Sequence, residues 1–127
     1  MSGVVADTSV WIDFFAGREA TSLEAALADA TAVLPPIVVA ELVCGASSKR
    51  DRDAICDVLA EIPLHATPRE HWVRVGELRR RLRSKGLSVS TPDAHVAQCA
   101  LDRDATLLSR DRVFTRIAAL SELRIAR

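Results

Sequence analysis

A chain of 127 residues that is 49% hydrophobic suits one domain, residues 1–127, with a sizeable core, and no stretch approaches the ~18 consecutive apolar residues of a membrane span. The N-terminus has no basic flank leading into a signal-peptide core, so the expectation is a cytoplasmic protein with no membrane partner. The net charge of zero hides an asymmetry: residues 1–64 carry 10 acids against 4 bases, and residues 65–127 carry 7 against 13.

In chain order, Gly3 to Ala6 reads as a short buried strand ending at Asp7, with Thr8 or Ser9 placed to cap the helix that follows. That helix carries Trp11, Phe14 and Phe15, most of the aromatic mass of the chain. Thr21-Ser22-Leu23-Glu24 has capping-box spacing, and Leu23, Ala26, Leu27 and Ala30 recur at helical intervals. Thr31 to Leu34 is strand-like. Pro35-Pro36 then opens a helix that holds Glu41 about a turn and a half inside, with Gly45 as its stop. Ile55, Val58, Leu59 and Ile62 mark another helix, and Pro63 to Ala66 is a weak strand candidate.

The longest helical pattern runs from Pro68 to Lys85, with Trp72, Val75, Leu78 and Leu82 on one side, an arginine cluster on the other and Gly86 beyond its end. Thr91-Pro92-Asp93 reads as N-cap, first-turn proline and first-turn acid of a helix to Leu101. Ala105 to Leu108 is a strand, Asp111 to Leu120 a helix and Leu123 to Ile125 a closing strand. Short apolar strands alternating with helices predict an α/β domain built on a short, mostly parallel sheet flanked by helices on both faces.

Four acids stand out against this pattern: Asp7, Glu41, Asp93 and Asp111. An acid tied to an apolar element costs free energy unless it is paired or binds a cation. Each alone has an ordinary reading, since aspartate ends strands, caps helices and suits a first helical turn. Asp7 and Asp111 lie just past strands and Asp93 at a helix start, and Glu41, roughly a turn inside its helix, has a side chain long enough to reach back to the same edge, where open parallel sheets gather ligands. Hard divalent cations want oxygen ligands and commonly share them with substrate phosphate, so the set points toward phosphodiester chemistry.

Other residues carry weaker signals. Thr8 and Ser9 could orient the Asp7 carboxylate as well as cap a helix, and Ser109 invites the same double reading. Arg79, Arg80, Arg81, Arg83 and Lys85 form one basic cluster and Arg103, Arg110, Arg112 and Arg116 a second; they suit phosphate contact, although helix C-termini favour bases anyway. His65 and His71 lack paired spacing, and His95 sits between apolar residues where packing explains it. Cys44, Cys56 and Cys99 are odd in number and lack Cys-x-x-Cys spacing, which argues against disulfides and a structural zinc site and casts all three as small apolar fillers. Phosphate-cradling glycine motifs and a serine-hydrolase elbow are absent.

Four segments taken in order resemble a PIN domain, and closely the VapC ribonuclease toxins of bacterial toxin–antitoxin systems: Val5-Ala6-Asp7-Thr8-Ser9-Val10-Trp11-Ile12, Pro36 to Gly45 around Glu41, Pro92-Asp93-Ala94-His95-Val96-Ala97, and Leu107-Leu108-Ser109-Arg110-Asp111-Arg112. The resemblance covers nearly the whole chain. It implies a catalytic quartet at Asp7, Glu41, Asp93 and Asp111, supported by the hydroxyl of Thr8 or Ser9. The family often shows Asp-x-Asp-Phe near the last acid, whereas here Val113 precedes Phe114 and Asp111 serves alone.

The implied activity is Mg2+- or Mn2+-dependent endoribonuclease cleavage, with Asp7 and Asp93 as direct metal ligands and Glu41 and Asp111 acting through water or a second metal. Arg79, Arg80, Arg83, Arg110 and Arg112 are candidates for RNA contact. The resemblance further implies a homodimer and a small VapB-type antitoxin. Trp11, Phe14 and Phe15, three large aromatics within five residues of a short helix, would form an apolar groove for a partner helix or else complete the core or the homodimer. Three alternatives share parts of the pattern. A catalytically silent PIN-like binding module would not need the complete quartet. A dehalogenase-like phosphatase needs a second aspartate where Ser9 stands, and a receiver domain needs a lysine after a strand, where neither Lys49 nor Lys85 lies.

Overall fold

The computed structural model describes residues 3–126. Its elements follow the order β1 (Val4–Ala6), α1 (Thr8–Phe15), α2 (Thr21–Ala28), β2 (Ala32–Val33), α3 (Pro36–Cys44), α4 (Lys49–Leu59), α5 (Arg69–Ser84), α6 (Thr91–Asp102), β3 (Thr106–Leu108), α7 (Arg112–Ala119) and β4 (Arg124–Ala126). The four strands form one sheet in the order β2-β1-β3-β4, and every pairing is parallel. Successive side chains of a strand face opposite sides of a sheet. Val5 and Ala6 in β1, and Leu107 and Leu108 in β3, are all buried, so both faces are covered as the α/β reading expects.

Because β1 lies between β2 and β3, the chain leaves β1 in one direction to form β2 and returns to its other side for β3. The crevice at the carboxyl ends of β1 and β3 is the switch point where such sheets bind ligands. Asp7 follows β1 directly, and its backbone N–H donates to the Leu108 carbonyl at 3.0 Å, which locks the two strand ends together.

Several local expectations are corrected. Asp7 caps α1, with Thr8 and Ser9 inside the helix, because its carboxylate accepts from the Val10 N–H. The Thr21–Glu24 capping box does not form, since Ala20 occupies the cap position and Thr21 begins α2. Ser90 caps α6 in place of Thr91, accepting from the Asp93 N–H at 3.2 Å. Pro63 to Ala66 contributes one bridge, Leu34 to Leu64, and no strand. The buried face of α5 is His71, Val75, Leu78 and Leu82, at intervals of four, three and four residues, and Trp72 is 44% exposed. Cys44 and Cys56 are exposed, so only Cys99 is the buried filler expected of all three.

Candidate active site

The carboxyl ends of β1 and β3 bring together side chains from four parts of the chain. Asp7, Thr8, Ser9, Glu41, Pro92, Asp93, Val96, Asp111 and Phe114 line a cleft of about 150 Å³. All four acids singled out from the sequence are therefore in one place, as are both hydroxyl candidates.

Asp7 is the buried member, 6% exposed. Its Oδ1 accepts from Ser9 Oγ at 2.5 Å and from the Val10 N–H at 3.3 Å, and its Oδ2 accepts from Ser109 Oγ at 2.6 Å. Burial pushes its carboxyl above the ordinary carboxylate range, while the Ser109 and Ser9 hydroxyls and the Val10 N–H pull it back. The two serines also organise the loop after β3: Ser9 Oγ accepts from the Arg110 N–H at 3.0 Å, and Ser109 Oγ accepts from the Asp111 N–H at 2.9 Å. Of the two roles open to Ser109 in the sequence, orienting a carboxylate is the one it fills. The only signal for it there is its place at a strand end, two residues before an acid.

The other hydroxyl serves the second acid, since Thr8 Oγ1 donates to Glu41 Oε1 at 2.7 Å. Glu41 itself is exposed, although its neighbours Val38, Val39, Ala40, Leu42 and Val43 are all apolar. In a helix Val38 and Leu42 turn inward at a spacing of four, and Glu41 points off that face toward the cleft. Asp93, in the first turn of α6, is half-buried. Burial raises its carboxyl and the Ser90 hydroxyl lowers it, while the charges of Asp111, Glu41 and Asp7 raise it further. Asp111 caps α7, accepting from the Val113 N–H at 3.0 Å, and is exposed. Among the described residues none of the four acids takes part in an ion pair.

The arginine candidates divide. Arg110 turns away to Asp13 Oδ2 at 3.1 Å and the Glu19 carbonyl at 2.8 Å, and Arg79 binds the Val89 carbonyl and Thr91 Oγ1, so both brace the scaffold. Arg80, Arg83 and Arg112 are exposed. The aromatic candidates divide as well. Trp11 is fully buried with Phe14 and Phe15 packed on it at 5.8 and 6.0 Å, so it offers no surface to a partner. A groove of about 350 Å³ does adjoin the cleft, sharing Glu41 with it, but its apolar wall is Phe15 with Ile12, Leu42 and Ile55. Ile12, 48% exposed, is a large apolar groove residue that the sequence does not single out.

The PIN domain family model matches residues 4–120. No curated protein sequence matches the chain. Among solved structures, the chain is similar to VapBC2 from Rickettsia felis bound to a DNA fragment from their promoter, at 24% identity and a TM-score of 0.78 over 97% of this chain and 96% of that one. It is similar to VapBC-1 from nontypeable Haemophilus influenzae, at 21% identity and 0.75 over 97% and 96%. A member of the VapBC family of toxin-antitoxin systems from Mycobacterium tuberculosis, VapBC-5, matches at 21% identity and 0.71 over 100% and 99%. At these identities the likeness is one of fold.

Proposed function

The chain belongs to the PIN domain family, and from that membership together with the cleft we propose that it is a divalent-metal-dependent endoribonuclease acting as the toxin of a VapBC-type toxin–antitoxin pair. The observation that carries the reading is the convergence of Asp7, Glu41, Asp93 and Asp111 on one cleft, with none of them ion-paired to a base among the described residues. Four carboxylates in one cleft, with the charges of the other three raising the carboxyl of Asp93, suit an all-oxygen site for a hard cation such as Mg2+ or Mn2+. When bound, such a cation would acidify water and offset charge on a scissile phosphate.

The chain's own residues divide the work. Ser9 and Ser109 donate to opposite oxygens of Asp7 and hold its rotamer, so its remaining lone pairs are aimed before any ligand arrives. Thr8 does the same for one oxygen of Glu41. Asp7 and Asp93, the two less exposed acids, would hold such an ion directly. Glu41 and Asp111, both exposed, would complete the site through water or a second ion and could orient an attacking water. Arg80, Arg83 and Arg112 remain as the candidates for holding the RNA backbone. The Ile12 and Phe15 groove, ending at Glu41, suits the apolar face of an antitoxin helix whose basic residue would reach the acids. A homodimer accords with the same family reading.

Incubating the purified protein with total RNA and Mg2+ or Mn2+ tests the proposal. Metal-dependent cleavage, lost in Asp7→Asn and in Asp93→Asn, is the expected result. Wild-type protein that binds RNA without cutting it in either metal would leave a binding module instead.

A further inference from the structure

All three histidines of the chain, His65, His71 and His95, are buried and meet at one place, and none of them lines the acidic cleft. The organiser is Asp102, the last residue of α6. It accepts from Arg74 Nε and Nη2 at 2.8 and 3.0 Å, Gln98 Nε2 at 2.8 Å, His71 Nδ1 at 2.8 Å and His65 Nε2 at 3.3 Å. These bonds hold the Asp102 carboxyl well below the usual carboxylate range against the opposing effect of burial. An ionised carboxylate only accepts, so the ring nitrogens facing it carry the protons, and in neutral rings the far nitrogens, His71 Nε2 and His65 Nδ1, present lone pairs. His65 Nδ1 is buried and has no hydrogen-bond partner among the described residues. His71 Nε2 meets His95 Nδ1 at 2.8 Å.

A carboxylate that fixes a histidine tautomer is the outer-shell arrangement of metal-ligating histidines; here it leaves His65 Nδ1 unpartnered among the described residues, while His71 Nε2 would exchange its bond to His95 for the metal. A sulfur donor stands beside these two. Cys99 is fully buried, and one donor atom each of His65, His71 and Cys99 lies within 4.8 Å of the other two. Tetrahedral zinc places its ligand atoms roughly 3.3–3.8 Å apart, so closing the set takes side-chain shifts on the order of 1 Å. We infer that His65, His71 and Cys99 form a second metal site, of nitrogen and sulfur donors, that takes a borderline cation such as Zn2+, with a fourth position open to His95 or water. Imidazole and thiolate select zinc over magnesium, so this site and the all-oxygen cleft would not compete for one ion. Bound metal would tie the segment before α5, α5 itself and α6 together. The sequence hides the site because its ligands come from a connecting segment and two helices with no motif spacing. It does not depend on the proposed nuclease activity.

The test uses the full chain carrying Cys44→Ser and Cys56→Ser, so that Cys99 is the only thiol, stripped with chelator and titrated with Co2+ alone. The expected result is one tightly bound Co2+ with a thiolate-to-metal charge-transfer band, displaced by Zn2+ and retained in Asp7→Asn and Asp93→Asn. Cys99→Ala should abolish the band, and His65→Gln should weaken Co2+ binding at least tenfold. Zn2+ should also raise the melting temperature of the Cys99-containing protein. If Co2+ gives no thiolate band, or if binding disappears in Asp93→Asn while surviving His65→Gln, the metal goes elsewhere and the cluster is a hydrogen-bonded core only. His65→Gln keeps the inference falsifiable if Cys99→Ala fails to fold.

Discussion

Replacing Ser109 by alanine separates the support of the cleft from its ligands. Ser109 Oγ is buried, donates to Asp7 Oδ2 at 2.6 Å and accepts from the Asp111 N–H at 2.9 Å. A hydrogen bond to a charged group contributes roughly 1.5–3 kcal/mol and one between neutral groups about 1 kcal/mol, so the metal-free variant should lose about 2–4 kcal/mol at neutral pH. The loss should depend on pH with a definite sign. Asp7 already has a folded pKa raised above its unfolded value by burial, and Ser109 is the largest influence pulling it down. Without Ser109 the ionised form is penalised further in the folded state. The penalty is then full above the raised pKa of the variant and shrinks as pH falls through it, toward the ~1 kcal/mol of the Asp111 bond. Urea unfolding in chelator, run at neutral pH and at successively lower pH, reads both quantities. A loss below about 0.5 kcal/mol, or one that stays constant with pH, would refute the claim that Ser109 works through the Asp7 charge.

Other perturbations follow from the same geometry. Asp7→Asn and Asp93→Asn should abolish RNA cleavage, yet melt at an equal or higher temperature in chelator, because burial raises both carboxyls and the charges of Asp111, Glu41 and Asp7 raise Asp93 further; a drop of several degrees would contradict this. Millimolar Mg2+ or Mn2+ should raise the melting temperature of the wild type by mass action but not that of Asp93→Asn, and equal shifts in both would place the ion elsewhere. Alanine at Arg80, Arg83 and Arg112 together should weaken RNA binding across sequences and flatten its salt dependence by about 0.7 for each phosphate no longer neutralised; an unchanged slope would make them solvated surface. Ile12→Ala and Phe15→Ala should each weaken antitoxin binding by more than ~1 kcal/mol with cleavage intact, whereas Trp11→Ala should unfold the chain by removing a fully buried side chain worth about 3–5 kcal/mol.

What the sequence reveals of this molecule follows from which signals are local. The strands are visible because parallel strands buried on both faces are continuous apolar runs, and the acids at their ends interrupt those runs abruptly. Caps shift by one residue, at Asp7 and at Ser90, because neighbouring polar residues such as Thr8 and Thr91 compete for the same role and only backbone angles decide between them. Glu41 is recognised for a mistaken reason: a run of apolar neighbours suggests burial, but α3 winds them onto one side and leaves the carboxylate in the cleft. Trp72 is read inward on hydrophobicity, whereas the fully buried position is His71, whose polar ring is tolerated because Asp102 and His95 satisfy both nitrogens. Ser109 stays ambiguous and Ile12 escapes notice because the partner of the first lies more than a hundred residues away and the groove of the second is formed by several helices.

The same helix, α6, carries a member of each cluster, Asp93 at its start and Asp102 at its end. Every residue of α6 from Ala94 to Ala100 is buried, so the helix is enclosed on all sides and behaves as a rigid rod. Asp93 lies in its first turn at the cleft, and Asp102, nine residues on, lies about 13–14 Å away at the other end, given a rise of ~1.5 Å per residue. At that far end Asp102 binds Arg74 and His71 of α5, and near the middle Trp72 stacks on His95 at 4.7 Å. The helix thus carries Asp93 at one end, capped by Ser90, while at the other end Asp102 fastens it to α5.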